Sequence, residues 1–134
     1  MTLVDTSVWI DFLHGTENGH TVLLTQLLRT HRIGLTDLIL TEVLQGIRDE
    51  KTFKSAQQEF ADYELFDSAG RTLAIQSARN YRLLRTKGIT VRSTIDCLTA
   101  TLCLLEDHTL FHRDRDYDAF EKHLGLKVLH PALH

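Results

Sequence analysis

The sequence predicts an α/β fold, a mostly parallel central sheet with helices packed on both of its faces. Short apolar runs alternate along the chain with longer stretches whose apolar residues recur every three or four positions, the pattern of buried strands and amphipathic helices. The composition is that of a folded domain: 43% hydrophobic and 25% charged residues, with seven glycines and one proline, exclude disordered and collagen-like chains. Its 134 residues match one domain, expected to span residues 1–134 without a repeat or linker.

Taken in order, Leu3-Val4 reads as a first buried strand closed by Asp5, and Val8 to Leu13 as a short helix before Gly15. From Thr21 to Thr30, Val22, Leu23, Leu24, Leu27 and Leu28 make a helical stripe, and Ile33-Gly34-Leu35 is a second strand. Thr36 is placed to cap a helix carrying Leu38, Ile39, Val43 and Leu44, which turns polar near Arg48. Lys51 to Tyr63, with Phe53, Ala56 and Phe60 on one face, is another helix, followed by a short strand at Glu64-Leu65-Phe66. Ser68 is expected to cap a long helix with a stripe of Ala74, Ala78, Tyr81 and Leu84, ended by Gly88 where a left-handed residue is cheap. Ser93 or Thr94 opens the next, with Ile95, Leu98, Leu102 and Leu105 facing one way. Thr109-Leu110-Phe111 is a strand, Asp116 to His123 a helical or turn segment, and Lys127-Val128-Leu129 a last strand before Pro131.

Fifteen basic against 18 acidic residues give a formal charge of −3, so no overall positive field points to nucleic acid. No apolar stretch approaches the ~20 residues of a membrane span, and the first residues carry no basic leader, so a cytoplasmic location is expected. Cys97 and Cys103 lie six apart in a helical stretch and off a common face; they are expected as small reduced core residues.

In an open α/β sheet, sites form beyond the carboxyl ends of the strands. Asp5 ends the first strand there, and Asp114 and Asp116 follow the strand Thr109 to Phe111. Glu42, in the second turn of the helix after Leu35, and Asp96, in the first turn of the helix near Ser93, reach the same edge if the sheet is parallel. Each acid has an ordinary explanation alone: Asp5 as a helix cap, Asp96 as the capping-box acid opposite Ser93, Glu42 as a solvated helix residue. Their apolar neighbours, Ile39, Val43 and Leu44 around Glu42 and Ile95 and Leu98 around Asp96, place them near buried faces instead, where a carboxylate needs compensation.

Carboxylates gathered in one place repel and raise one another's pKa unless a cation neutralises them. Hard oxygen ligands without soft partners favour magnesium or manganese over zinc. Such an ion can orient a phosphate oxygen and activate a water for attack on phosphorus, which makes phosphodiester hydrolysis the natural reaction. Setting the five acids aside moves the formal charge from −3 to +2, and basic residues flank them: Arg79, Arg82, Arg85, Lys87 and Arg92 before Asp96, and Arg113 and Arg115 among the last acids. Arg92, Arg113 and Arg115 are candidate phosphate contacts. The pairs His108 and His112, and His130 and His134, lack an HExxH context and do not argue for zinc, and no Gly-rich phosphate loop is present.

The acids and the words around them resemble those of the PIN-domain ribonucleases, and more narrowly of the VapC toxins of type II toxin-antitoxin pairs. The words are Leu3-Val4-Asp5-Thr6-Ser7-Val8-Trp9, Thr41-Glu42-Val43-Leu44-Gln45-Gly46, Thr90 to Ala100 containing Ser93 and Asp96, and His112-Arg113-Asp114-Arg115-Asp116-Tyr117-Asp118. Their order and the chain length match the family, and the likeness runs from Thr2 to about Leu129. It implies a three-layer α/β/α sandwich with a mostly parallel sheet, and an acidic pocket that binds magnesium or manganese and cuts RNA to leave a 3′-hydroxyl and a 5′-phosphate. Asp5, Glu42, Asp96 and Asp114 match the central acids, Asp116 a further acid, and Thr6 a hydroxyl residue beside the first. Asp118 lies further along the motif. Two departures are Thr99-Ala100 where two alanines are common and Tyr117 where phenylalanine is usual; neither removes a carboxylate.

The roles that follow place Asp5, Asp96, Asp114 and Asp116 on the metal, and Glu42 either completing the site or orienting the attacking water. Thr6 and Ser93 support them. The resemblance further implies a VapB-like antitoxin partner, a homodimer, and RNA as substrate, with transfer RNA among the candidates; chemistry alone does not distinguish RNA from DNA. A receiver-like signalling domain would need an acceptor aspartate ending the middle strand and a lysine near the last strands. Phe66-Asp67 is the only comparable strand end, and Leu110-Phe111-His112 lacks the lysine. The alternative within the family is a catalytically inactive PIN-like protein that binds RNA or a partner, against which stands the retention of every central carboxylate.

Overall fold

The computed structural model describes residues 1–68 and 70–131. Five strands, β1 (Thr2–Val4), β2 (Ile33–Thr36), β3 (Glu64–Phe66), β4 (Thr109–Phe111) and β5 (Lys127–Val128), form one sheet in the order β3-β2-β1-β4-β5, every neighbouring pair parallel. Leu3 pairs with Gly34 on one side and Leu110 on the other, and Val4 pairs with Phe111. The chain moves outward from β1 to β2 and β3, then returns to the far side of β1 as β4. That reversal puts a crevice at the carboxyl ends of β1 and β4.

Strand side chains alternate between two cores. Leu3 and Leu110 point into one, with α5 (Arg71–Thr86), α6 (Thr94–Glu106) and α7 (Asp118–Leu124) supplying Leu73, Leu84, Cys97, Ala100 and Phe120. Val4 and Phe111 point into the other, covered by α1 (Thr6–Leu13), α2 (Gly19–Thr30), α3 (Asp37–Gln45) and α4 (Glu50–Phe60), which supply Trp9, Leu24, Ile39 and Phe60. The result is the three-layer α/β/α arrangement expected from the sequence, with a sheet that is wholly parallel. At Gly34 an added Cβ would come within 2.8–2.9 Å of Phe66, Leu3 and Met1, so only glycine fits that strand position.

Capping follows the sequence in several places. The Thr36 hydroxyl accepts from the Ile39 N–H at 3.0 Å to open α3, and Ser93 rather than Thr94 caps α6. Beyond α5, Gly88 takes φ of 79°, and the amides of Gly88 and Ile89 donate to the carbonyls of Arg85 and Leu84. Both cysteines are free and buried.

Other expectations are corrected. The helix foreseen from Thr21 starts two residues earlier, because Asn18 and Thr21 exchange side-chain bonds to each other's backbone amides as a capping box. Ser68 does not cap α5: its amide donates to the Asp37 carboxylate at 2.9 Å, and Gly70, with φ of 115°, occupies the cap position without a side-chain bond. Ala74 and Ala78 are exposed, and the buried face of α5 is Leu73, Ser77, Asn80 and Leu84. Leu105 is likewise 50% exposed. The seam between α5 and α6 is built instead from small and polar groups, with Asn80 Nδ2 donating to Thr101 Oγ1 at 3.0 Å and Cys97 Sγ to the Ser77 carbonyl at 3.4 Å. A stripe drawn from apolar residues alone cannot find such a seam. The last strand closes at Val128, although the Leu129 N–H still donates to Leu110. His134 lies outside the described residues; His130 pairs with Glu121 at 3.0 Å.

Candidate metal centre

Four segments converge at the crevice. Asp5 directly follows β1, and its amide donates to the Phe111 carbonyl at 2.9 Å, tying it to β4. It is also the N-cap of α1, its Oδ2 accepting from the Ser7 N–H at 3.1 Å and Oγ at 2.7 Å. The cap and the site are thus one side chain, only 3% exposed. Asp96 sits in the first turn of α6, its amide bonded to Ser93 Oγ at 3.2 Å. Asp114 caps a 3₁₀ turn over Arg115–Tyr117: its Oδ1 accepts from the Asp116 N–H at 2.9 Å, and its own N–H donates to His112 Nδ1 at 3.0 Å. Glu42, on α3, accepts at Oε1 from Thr6 Oγ1 at 2.8 Å.

Asp96, Asp114 and Asp116 each place a carboxylate oxygen within 4.8 Å of the others. Asp5 joins them through the Tyr117 hydroxyl, which lies 2.7 Å from Asp5 Oδ1 and 3.1 Å from Asp96 Oδ1. Burial pushes the Asp96 carboxyl up to about 7, and the charges of Asp5, Asp114 and Glu42 add to the effect while the Tyr117 bond opposes it. Burial and Asp5 also raise Glu42, against the pull of the Thr6 hydroxyl. Tyr117, buried beside two acids, is held well above its ordinary value and stays a donor. Burial lowers His112, which leaves Nδ1 free to accept the Asp114 amide.

Among the described residues, none of these five acids has a basic partner within salt-bridge distance. Converging, partly buried carboxylates without a counterion, all hard oxygen donors, fit a divalent cation such as magnesium or manganese. Asp96, Asp114 and Asp116 are the residues that can hold it, with Asp5 and Glu42 beside them.

The remaining candidates lie around this group. Asp118 is the exposed first residue of α7, outside the cluster. Arg92, Arg113 and Arg115 are exposed; Arg113 pairs with Asp11 at 2.5 Å, and its amide donates to Ser7 Oγ at 3.0 Å. Sequence reasoning passed over Ser7 and gave Tyr117 little weight. Ser7 carries a legible signal, since a serine two residues after a capping aspartate can bond it twice. The reach of Tyr117 across to Asp5 and Asp96 has no local sequence signal.

In sequence and in fold the chain is similar to known proteins. The family model described as PIN domain matches residues 2–123. Ribonuclease VapC11 of Mycobacterium tuberculosis is 30% identical over 130 residues, covering 96% of this chain and 97% of that protein. Among solved structures, VapBC2 from Rickettsia felis bound to a DNA fragment from their promoter superposes with a TM-score of 0.75 at 17% identity over 96% of both chains. FitAcB from Neisseria gonorrhoeae gives 0.73 at 18% over 98% of both. At those identities the two structures speak for the fold, whereas the family model and the M. tuberculosis relative speak for descent. This chain belongs to the PIN domain family, among its VapC members.

Proposed function

We propose that the chain, as one PIN domain over residues 1–134, is a magnesium- or manganese-dependent endoribonuclease, the toxin of a VapBC pair. The observation that carries the reading is the meeting of Asp96, Asp114 and Asp116, flanked by Asp5 and Glu42, with no basic side chain in salt-bridge reach of them among the described residues. The VapC relative, named a ribonuclease, supports RNA as the substrate class. A divalent ion, when bound, would supply charge for a phosphate oxygen and lower the pKa of a water, and hydrolysis of the phosphodiester would leave a 3′-hydroxyl and a 5′-phosphate.

The chain's own groups prepare that chemistry. Asp96, Asp114 and Asp116 would hold the cation, Asp5 would complete its charge balance, and Glu42, oriented by Thr6 Oγ1, would position the attacking water. Arg92 and Arg115, exposed and without a carboxylate partner among the described residues, are placed to meet the phosphates of the flanking strand. The VapBC complexes among the structural neighbours support a VapB-like antitoxin as the inhibiting partner. A homodimer and a cytoplasmic location belong to the same reading. Among the described residues no helix is long and apolar enough to cross a membrane.

Sequencing RNA ends after brief expression tests activity and substrate together. The wild-type chain is expected to create new 5′-phosphate ends at a restricted set of sites, transfer RNA included among the candidates, and Asp5→Asn is expected to create none. RNA bound by the wild type without any new ends would replace catalysis with a binding role.

A further inference from the structure

Tyr117 is fully buried, and nothing in the reading above requires a hydroxyl there. Its ring is fixed by the core around Leu3, Leu110 and Phe120 and lies against His112 with ring centroids 4.7 Å apart. Its position along the chain is fixed by the same 3₁₀ turn that carries Asp114 and Asp116. The phenol oxygen therefore sits at a point set by packing, with Asp5 Oδ1 at 2.7 Å and Asp96 Oδ1 at 3.1 Å. One hydroxyl proton serves two carboxylates that come from different segments and repel each other. Asp5 Oδ2 is already taken by Ser7, while the second oxygen of Asp96 has no hydrogen-bond partner among the described residues.

We propose that the Tyr117 hydroxyl is a positioning group for the cation site, clamping Asp5 to Asp96 so that Asp96 presents its remaining oxygen to a divalent ion. The inference rests on the acidic cluster being a cation site, as the nuclease reading holds. Phenylalanine at this position would keep the ring in the core and leave Asp5 Oδ1 and Asp96 Oδ1 without their shared donor. Hydrogen bonds that orient metal-binding carboxylates act in this way on affinity.

The test compares purified wild type with Tyr117→Phe, using manganese alone as the probe and reading binding by electron paramagnetic resonance or calorimetry. The variant is expected to unfold cooperatively and to bind manganese about 10–100-fold more weakly. Its RNA cleavage is expected to recover toward the wild-type rate at saturating manganese, a shift in metal requirement that general loosening of the core would not produce. Manganese bound by the variant as tightly as by wild type, or more tightly, overturns the proposal.

A second measurement needs no variant at this position. In wild type labelled with ¹³C at the tyrosine Cζ, with Tyr63→Phe and Tyr81→Phe used for assignment, magnesium is expected to move the Tyr117 resonance as the site fills. A resonance that stays in place while magnesium binds overturns the clamp. Wild type that binds no divalent ion would bring down the nuclease reading along with it, whereas equal binding by wild type and Tyr117→Phe removes the clamp alone.

Discussion

Asp96→Asn is expected to leave the fold intact and to reduce divalent-ion-dependent RNA cleavage by more than about 100-fold, beyond the loss typical of a group that merely supports a ligand. The substitution keeps the volume and the acceptor for Tyr117 while removing the charge that the cluster offers a cation. Its effect on stability runs the other way. In the metal-free wild type, Asp96 keeps its proton up to about pH 7, whereas an unfolded chain gives it up near the ordinary value of 3.8. The folded form therefore holds more protons at Asp96 between these limits, and the contribution of Asp96 to stability falls as pH rises from about 4 to about 7. With chelator present at pH 8, Asp96→Asn is expected to melt above wild type by several degrees. That corresponds to about 1–2 kcal/mol once solvent screening of the half-buried carboxylate is allowed for. At pH 4 the gap should close. Melting curves of both proteins across this range in the presence of chelator check the sign, and a gap between Asp96→Asn and wild type that fails to widen toward pH 8 would contradict it.

Trp9→Ala is expected to remove about 3–5 kcal/mol of stability. Trp9 is fully buried on α1, meeting Phe60 edge-on at 4.9 Å and Phe12 edge-on at 6.0 Å, and stacking with Tyr63 at 5.5 Å. Four residues before it, Asp5 caps the same helix, so the aromatic cluster seats the helix that carries one wall of the acidic crevice. Urea denaturation should show the drop in midpoint. Trp9→Phe should cost less, because it keeps a ring in place and removes an indole N–H that has no partner among the described residues. Equal losses for the two variants would mean that ring packing is not what holds α1 to the sheet.

How much of this was legible in the sequence depends on how local the cause is. The strands were legible because short apolar runs closed by turn residues have few other uses, and the parallel sheet followed from their alternation with helices. Asp5, Glu42, Asp96 and Asp114 were legible as a group because each falls just past a strand or in the opening turns of a helix, where a parallel sheet collects such positions. The α5–α6 seam was not, since Asn80, Thr101, Ser77 and Cys97 pack through mutual hydrogen bonds that exist only once the two helices meet. For the same reason the α5 cap fell to Gly70 rather than Ser68, whose amide is claimed by Asp37 from a neighbouring segment. Tyr117 read as a small change from phenylalanine, yet its hydroxyl touches residues 112 and 21 positions away. Contacts of that range have no periodicity to betray them.

The account stands on the acids of four separated segments forming one cation site. A crystal of the wild-type protein grown with manganese, examined by anomalous scattering, tests it most directly. A single cluster of anomalous density bonded to Asp96 and to Asp114 or Asp116, with Asp5 and Glu42 turned toward it, is the expected result. Asp5, Glu42, Asp96 and Asp114 facing different surfaces, with no manganese among them, would contradict it.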